Sequence, residues 1–281
     1  MTSQNLFKDN NGNWLSNELL YKKLKELDAH DCDVLFVHTA LNFGTPNMAI
    51  KKKELLALLL EVLRNLNVGT LCMPTYTFSF CNGKEYDPKN SKSKMGALNE
   101  YFRQQEGVIR SLDPLMSIAL EGEKQYLATE VGTHSIGEGS TFDLLHNTDR
   151  VKFLFMGPQI GDCFTYVHYL EWLYDLDYRY PRYFRGEIIE KDKSSIVEQD
   201  LFVRYKGVIP NKNLFNYGLE LEKKGVAKSS SFGEGNLTVV EKVGAEKEYL
   251  DFILKDPHYF VDVHLPYHDK TFELTEEMVA L

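Results

Sequence analysis

Three residues at three-residue spacing, Thr165, His168 and Glu171, carry the side chains best suited to acid–base chemistry in this 281-residue chain. On a helix, each is turned about 60° back from the one before, so hydroxyl, imidazole and carboxylate gather on one flank of the first two turns. A carboxylate one turn from an imidazole can fix its tautomer and raise its basicity, which is how a general base is built. The same spacing also suits a capped helix with a surface His–Glu pair. Spacing alone leaves both readings open.

The segment that must position these residues is VKFLFMGPQIGDCFTYVHYLEWLYD, residues 151–175. It reads as a buried strand over 151–156, a Gly/Pro-rich turn over 157–162, and a helix opening near Thr165. Val167, Leu170, Leu173 and Leu176 recur every three residues along that helix. Such a strand–turn–helix unit puts the three residues just above the carboxyl edge of a sheet, where open α/β sheets place their ligands.

The same texture precedes it. A leucine stripe over 15–27 predicts a helix, DVLFVH over 33–38 a strand, residues 49–65 a leucine-dense helix, and 70–73 a strand. This alternation predicts a largely parallel sheet with helices on its faces. The loop at 75–94, TYTFSFCNGKEYDPKNSKSK, is long enough to be functional, and its early aromatics argue against disorder. Further helices are expected over 95–105 and 123–130, and a strand around 116–120. Ser140 with Asp143 resembles a capping box, with Asp in place of the usual Glu. After residue 175 the texture turns α+β: a Tyr/Arg-rich stretch at 178–189, a strand over 201–208, helices near 213–224 and 245–255, and a hairpin at the GEGN of 233–236. No linker separates the halves, so one domain with lobes over 1–177 and 178–281 is expected.

A net charge of −9 and the lack of a basic stripe argue against nucleic acid. No apolar run approaches the ~20 residues that span a bilayer, and the N-terminus lacks signal-peptide regions, so a cytoplasmic protein is expected. The four cysteines are scattered without a CxxC spacing, which suggests neither a zinc site nor a disulfide framework.

Several segments together resemble the aminoglycoside N(3)-acetyltransferase family: VHTAL, MPTYTFSF, YDPKNSKSKMGALNEYFRQQEGVIRS, DPLMSIALEG, IGEGSTFDLL, FLFMGPQIGDCFTYVHYLE and KDPHYF. They keep their order over roughly residues 35–260. The resemblance implies a mixed α/β/α sandwich with a smaller C-terminal lobe, which transfers an acetyl group from acetyl-CoA to a sugar amine without a metal. It makes His168 the catalytic histidine, Glu171 its carboxylate, and Thr165 the threonine at the mouth of the helix. It assigns the coenzyme A site to His38, Thr39, Ala40, Leu41, Arg110 and Ser111, with Pro74, Thr75 and Tyr76 bordering the pantetheine and acetyl group.

The chemistry agrees. An ammonium has no lone pair, so acyl transfer to a sugar amine needs a base, and only His168 combines a carboxylate one turn away with a strand–loop–helix setting. The thioester oxygen gains charge and needs donors, which backbone N–H groups or the Thr165 hydroxyl could supply. Arg110 is the expected cation for the phosphates of coenzyme A, against a structural pairing with Asp113. Glu85, Tyr86 and Asp87 in the long loop, with His134, are candidates for holding an amino sugar, against a solvated loop tip.

One departure concerns the acceptor. Where drug-resistance members carry His-Pro after the Arg-Ser pair, this chain has Asp113-Pro114. The arginines Arg179, Arg182 and Arg185 could meet a nucleotide's phosphates. A nucleotide-linked amino sugar in surface-polysaccharide synthesis is therefore the expected acceptor, with antibiotic resistance as the alternative. A thioester or ester hydrolase using the same histidine is a further one, as is a non-catalytic binding module. The oligomeric state stays open, a homodimer being one option.

Overall fold

The apolar runs near residues 35, 72 and 153 form three adjacent strands, Val34–Thr39, Thr70–Pro74 and Val151–Met156. The computed structural model describes residues 2–191, 193–264 and 270. Nearly every residue of the three strands is buried, so their sequences are continuous apolar runs rather than alternations. Val34–Thr39 lies between the other two and pairs parallel with both, Phe36 standing opposite Phe153 and Cys72.

The sheet has seven strands in the order Ala227–Phe232, Gly235–Glu241, Val151–Met156, Val34–Thr39, Thr70–Pro74, Ile118–Gly122, Ile109–Arg110. It is mixed, with parallel pairing confined to the central three. The two strands added on each side run antiparallel to their neighbours. The physical reason is that both flanking pairs are joined by short returns, whereas a parallel pair needs a crossover. The region after residue 177, expected as a smaller α+β lobe, thereby contributes two strands to the main sheet, with Leu237 opposite Met156.

Side chains alternate across the sheet with period two. Leu35, Val37, Leu71, Met73, Leu154 and Met156 face a layer containing the helices Asn17–Glu26, Lys52–Arg64 and Ala97–Phe102. Val34, Phe36, Cys72, Phe153 and Phe155 face Thr141–His146, Val167–Leu173 and Lys242–Ile253. This is the expected α/β/α sandwich. Leu59 in the second helix is fully buried, and truncating such a leucine to alanine costs about 2–5 kcal/mol.

Local signals explain several helix ends. Ser16 accepts a hydrogen bond from the Leu19 N–H at 3.1 Å, so the first helix starts at Asn17, and Trp14–Ser16 is a strand instead of its first turn. Ser140 accepts from the Asp143 N–H at 3.2 Å, but the Asp143 carboxylate takes the Gly139 N–H at 2.8 Å. Only half of the expected capping box forms.

The Tyr/Arg-rich stretch is a strand, Arg179–Glu190, paired antiparallel with Lys193–Arg204 as a hairpin apart from the main sheet. Isolated bridges attach Tyr86 of the long loop to Ile188 on one edge and His134 to Asp200 on the other. Two loops from the first half are thus stitched to this hairpin beside the helix Val167–Leu173.

Candidate active site

The strand Val151–Met156 ends at Gly157, whose φ of +104° is the left-handed region that favours glycine. A Cβ there would meet the Asn42 side-chain oxygen at 2.4 Å, so this turn packs directly on the loop after Val34–Thr39. Leu41 in that loop has φ +47°, uncommon for a residue with a side chain. The expected Gly/Pro turn ends in a short helix, Ile160–Cys163, and the next helix spans Val167–Leu173. The Thr165 hydroxyl donates to the Cys163 carbonyl at 3.3 Å and caps neither helix.

On that second helix, His168 Nδ1 lies 2.7 Å from Glu171 Oε2, as the three-residue spacing requires. The structure adds partners that spacing could not supply. The Arg179 guanidinium reaches Glu171 Oε2 through Nε at 2.7 Å, places Nη2 2.8 Å from His168 Nδ1, and donates to the Phe202 carbonyl at 2.8 Å. The hydroxyls of Tyr178 and Tyr249 donate to Glu171 Oε1 at 2.7 and 3.3 Å. Glu171 is therefore a buried hub with charged and neutral donors on both oxygens.

Burial alone would raise the Glu171 pKa, but Arg179 and then His168 outweigh it and hold the carboxyl at about 2. An ionised carboxylate cannot donate, so the contact with Glu171 assigns the proton to His168 Nδ1; Arg179 Nη2, which can only donate, then lies beside that nitrogen as a charge and not as its hydrogen-bond partner. Nε2 then carries the lone pair, and no described residue hydrogen-bonds to it. The side chain keeps 35% of its surface exposed. Desolvation and the Arg179 charge lower the His168 pKa, so the ring is neutral at neutral pH. A neutral, oriented imidazole with an open Nε2 is chemically able to accept a proton.

Tyr76 is buried beside Thr165, and burial raises its phenol well above the ordinary value, leaving it protonated and able to donate. His38 is different: burial lowers its pKa to about 3, and its ring stacks on Phe155 at 5.0 Å. Its side chain packs in the core, whereas residues 39–41 are partly exposed. Ala40 N–H donates to the Met156 carbonyl at 2.9 Å. Thr39 and Pro74 are tied together through Asn99, which accepts from the Thr39 hydroxyl at 2.5 Å and donates to the Pro74 carbonyl at 2.9 Å.

Arg110 is placed otherwise than expected. Its guanidinium donates to the carbonyls of Thr75, Pro88 and Ser91 at 2.5, 3.1 and 2.6 Å and lies 5.2 Å from the Tyr86 ring centre. It pairs with neither Asp113 nor solvent-facing groups, and it straps the long loop down. Ser111 accepts the Ile118 N–H at 3.0 Å and Thr75 donates to Ser117 at 3.1 Å, both buried ties of the same edge.

Nor does the long loop present the expected acceptor ligands. Tyr86 is fully buried and donates to the Ser111 carbonyl at 2.8 Å. Asp87 turns back on its own loop, accepting from the N–H groups of Lys89 and Asn90 at 2.7 and 3.1 Å. Glu85 is exposed. The reason is local competition, since an Asp in a turn bonds the backbone beside it. Arg182 lies over the Phe184 ring at 5.5 Å and donates to the Lys270 carbonyl at 3.2 Å.

Asp113 and His134 make no direct contact and are connected only through Ser135, the residue after His134. Asp113 Oδ1 accepts from the Leu115 and Met116 N–H groups, both at 2.9 Å, and from the Ser135 hydroxyl at 2.7 Å. Neighbouring His134 bonds Asp200 through Nδ1. Among the described residues no group of three or more His, Cys, Asp or Glu could hold a metal, and no helix is long and apolar enough to cross a membrane. A groove of about 540 Å³ between helices Asn213–Lys223 and Lys242–Ile253 holds neither His168 nor Glu171.

Solved structures share this fold. The apoenzyme of the aminoglycoside acetyltransferase AAC(3)-IVa superposes with a TM-score of 0.68 at 19% identity, over 94% of this chain and 93% of that one. AAC-IIIb in a binary complex with CoASH gives 0.70 at 18% identity, over 85% and 96%. The YokD protein from Bacillus subtilis gives 0.67 at 18% identity, over 86% and 94%. No curated protein matches by sequence. The family model for aminoglycoside 3-N-acetyltransferase matches residues 36–248, which include His168, Glu171, Tyr178 and Arg179 and stop one residue short of Tyr249. The chain belongs to the aminoglycoside 3-N-acetyltransferase family.

Proposed function

We propose that the protein transfers the acetyl group of acetyl-CoA to an amine of an aminoglycoside-type amino sugar, with His168 as general base. The observation that carries this reading is the His168 ring itself, held through Nδ1 by an ionised Glu171 with Nε2 open. The family match supports the acetyl-transfer chemistry, and one relative of the same fold is AAC-IIIb with CoASH, another AAC-VIa bound to sisomicin. The nucleotide-linked acceptor expected from sequence has no such support: of Arg179, Arg182 and Arg185, which were to meet its phosphates, the first two are engaged by Glu171, by carbonyls and by an aromatic ring, while Arg185 is exposed on the hairpin.

In the proposed reaction, a neutral amine nitrogen attacks the thioester carbonyl carbon while His168 Nε2 takes the amine proton. The imidazolium that forms keeps its Nδ1–H on Glu171. The negative charge arising on the thioester oxygen needs nearby donors, and the protonated, otherwise unpartnered Tyr76 hydroxyl is a candidate for one. Collapse of the adduct breaks the carbon–sulfur bond, and the proton on Nε2 passes to the departing sulfur. Amide and free thiol result, and the histidine is again neutral.

The test is thiol release from acetyl-CoA with aminoglycosides, nucleotide-linked amino sugars and no acceptor. Turnover that requires an aminoglycoside amine and yields an acetylated product supports the proposal. Equal thiol release without an amine, with free acetate, supports a hydrolase instead.

A further inference from the structure

His168 Nδ1 has two neighbours that make opposite demands on it. Glu171 Oε2, 2.7 Å away and ionised, can only accept and needs a proton on that nitrogen. Arg179 Nη2, 2.8 Å away, can only donate and suits a bare nitrogen. In a neutral ring a bare Nδ1 means a proton on Nε2, and that tautomer has no lone pair to take a proton there. The tautomer is therefore contested, and it goes to the partner held more firmly against the ring.

Arg179 is anchored independently of the ring, by its bond to the Phe202 carbonyl at 2.8 Å and by lying 6.0 Å from the Phe202 ring centre. Glu171 is not fixed by its charged partners alone. The last torsion of a glutamate is broad and roughly two-fold, so contacts on one oxygen leave the carboxyl plane free to turn. Arg179 Nε and His168 Nδ1 both meet Oε2. Oε1 is held instead by the hydroxyls of Tyr178 and Tyr249, at 2.7 and 3.3 Å. Both phenols are fully buried, and burial raises them well above the ordinary value, so both stay protonated and donate.

A single segment backs both tyrosines, the KDPHYF of residues 255–260. The His258 ring centre lies 5.8 Å from that of Tyr178, and His258 Nε2 is 2.9 Å from Oδ1 of Asp177, the residue before that tyrosine. Phe260 stacks on Tyr249 with ring centres 4.5 Å apart and planes 10° apart. The segment thus bears on Glu171 through the two rings.

We infer that Tyr178 and Tyr249 are positioning residues for the base: by pinning Glu171 Oε1 they keep Oε2 on Nδ1–H, and so hold His168 in the tautomer whose Nε2 can take the acceptor's proton. The inference rests on His168 as the base in the acetyl-transfer reading above. Both tyrosines act through Glu171 and not on the reacting atoms.

The experiment reads the ring-nitrogen NMR shifts of His168 at a pH where the ring is neutral, with kcat and KM for acetyl-CoA, in Tyr178→Phe, Tyr249→Phe and the double variant. The wild type should show Nδ1–H. Tyr178→Phe, which loses the shorter bond, should move part of the ring to Nε2–H and lower kcat about tenfold, the scale of one hydrogen bond to a charged group, with KM unchanged. Tyr249→Phe should act more weakly in the same sense and serves if Tyr178→Phe does not fold; the double variant should exceed either. Tyr217→Phe keeps its ring and loses a hydroxyl bonded to the Ala245 carbonyl, so it should match the wild type in both readings. A wild type with Nε2–H, an unchanged tautomer in a folded variant lacking either hydroxyl on Glu171, or an equal change in Tyr217→Phe overturns the inference and leaves acetyl transfer intact. Absence of thiol release by the wild type with every amine overturns the underlying reading instead.

Discussion

Arg179 and Glu171 form an ion pair at 2.7 Å with only 6% and 4% of their side chains exposed, directly behind the His168 ring. The arrangement serves two opposed needs. In the proposed reaction Glu171 holds Nδ1–H and steadies the imidazolium, while Arg179 neutralises the buried carboxylate and helps burial to keep the resting imidazole deprotonated. Burying either charge alone would be costly, and the Tyr178 and Tyr249 hydroxyls satisfy the remaining carboxylate oxygen.

Glu171→Gln keeps the shape of the side chain and removes its charge, leaving the Arg179 guanidinium buried without a counterion. Breaking a buried pair in this way costs about 3–5 kcal/mol. Urea unfolding should show that loss, and Glu171→Gln/Arg179→Met should recover part of it. Equal stability of the single variant and the wild type would mean that the pair contributes nothing.

The pH dependence follows from two shifts of the same sign. His168 is lowered from its ordinary value near 6.5, first by burial and then by Arg179, so the unfolded chain binds its proton more readily. Glu171, at about 2 against an ordinary 4.5, also takes its proton more readily when unfolded. Stability should therefore fall with acidification, first below about pH 6.5 and again below about pH 4.5. NMR titration of the His168 ring should give a midpoint below 6.5, and Arg179→Gln should move it upward. A midpoint above 6.5 in the wild type contradicts the assigned electrostatics.

Arg110 holds the long loop by its carbonyls. Arg110→Ala should raise hydrogen exchange and protease cleavage across residues 83–93 and lower stability by about 1–3 kcal/mol as buried carbonyls lose their donors. A variant with an unaltered loop but a raised KM for acetyl-CoA would return Arg110 to the phosphate role expected from sequence.

The site was legible where its geometry is local. His168 and Glu171 meet because three residues on a helix bring side chains together, and the strand before them is an apolar run closed by glycine and proline. The partners of Glu171 come from farther away: Arg179 starts the next strand, and Tyr249 is 78 residues on. No periodicity announces them, and the Tyr/Arg-rich segment was readable as phosphate-binding for that reason. Likewise Tyr86 looked like a loop ligand, because pairing with Ile188 joins segments a hundred residues apart. The sheet's central parallel strands followed from strand–helix alternation. The antiparallel flanks did not, since a hairpin such as 227–241 carries no sign of which edge it will join.

The most direct test of the central claim is His168→Gln, read by thiol release from acetyl-CoA with a saturating aminoglycoside and by thermal melting in parallel. A folded variant whose kcat falls by about 10²–10⁴ is the expected result, the range a general base contributes. A folded variant that turns over at the wild-type rate would remove His168 from the reaction.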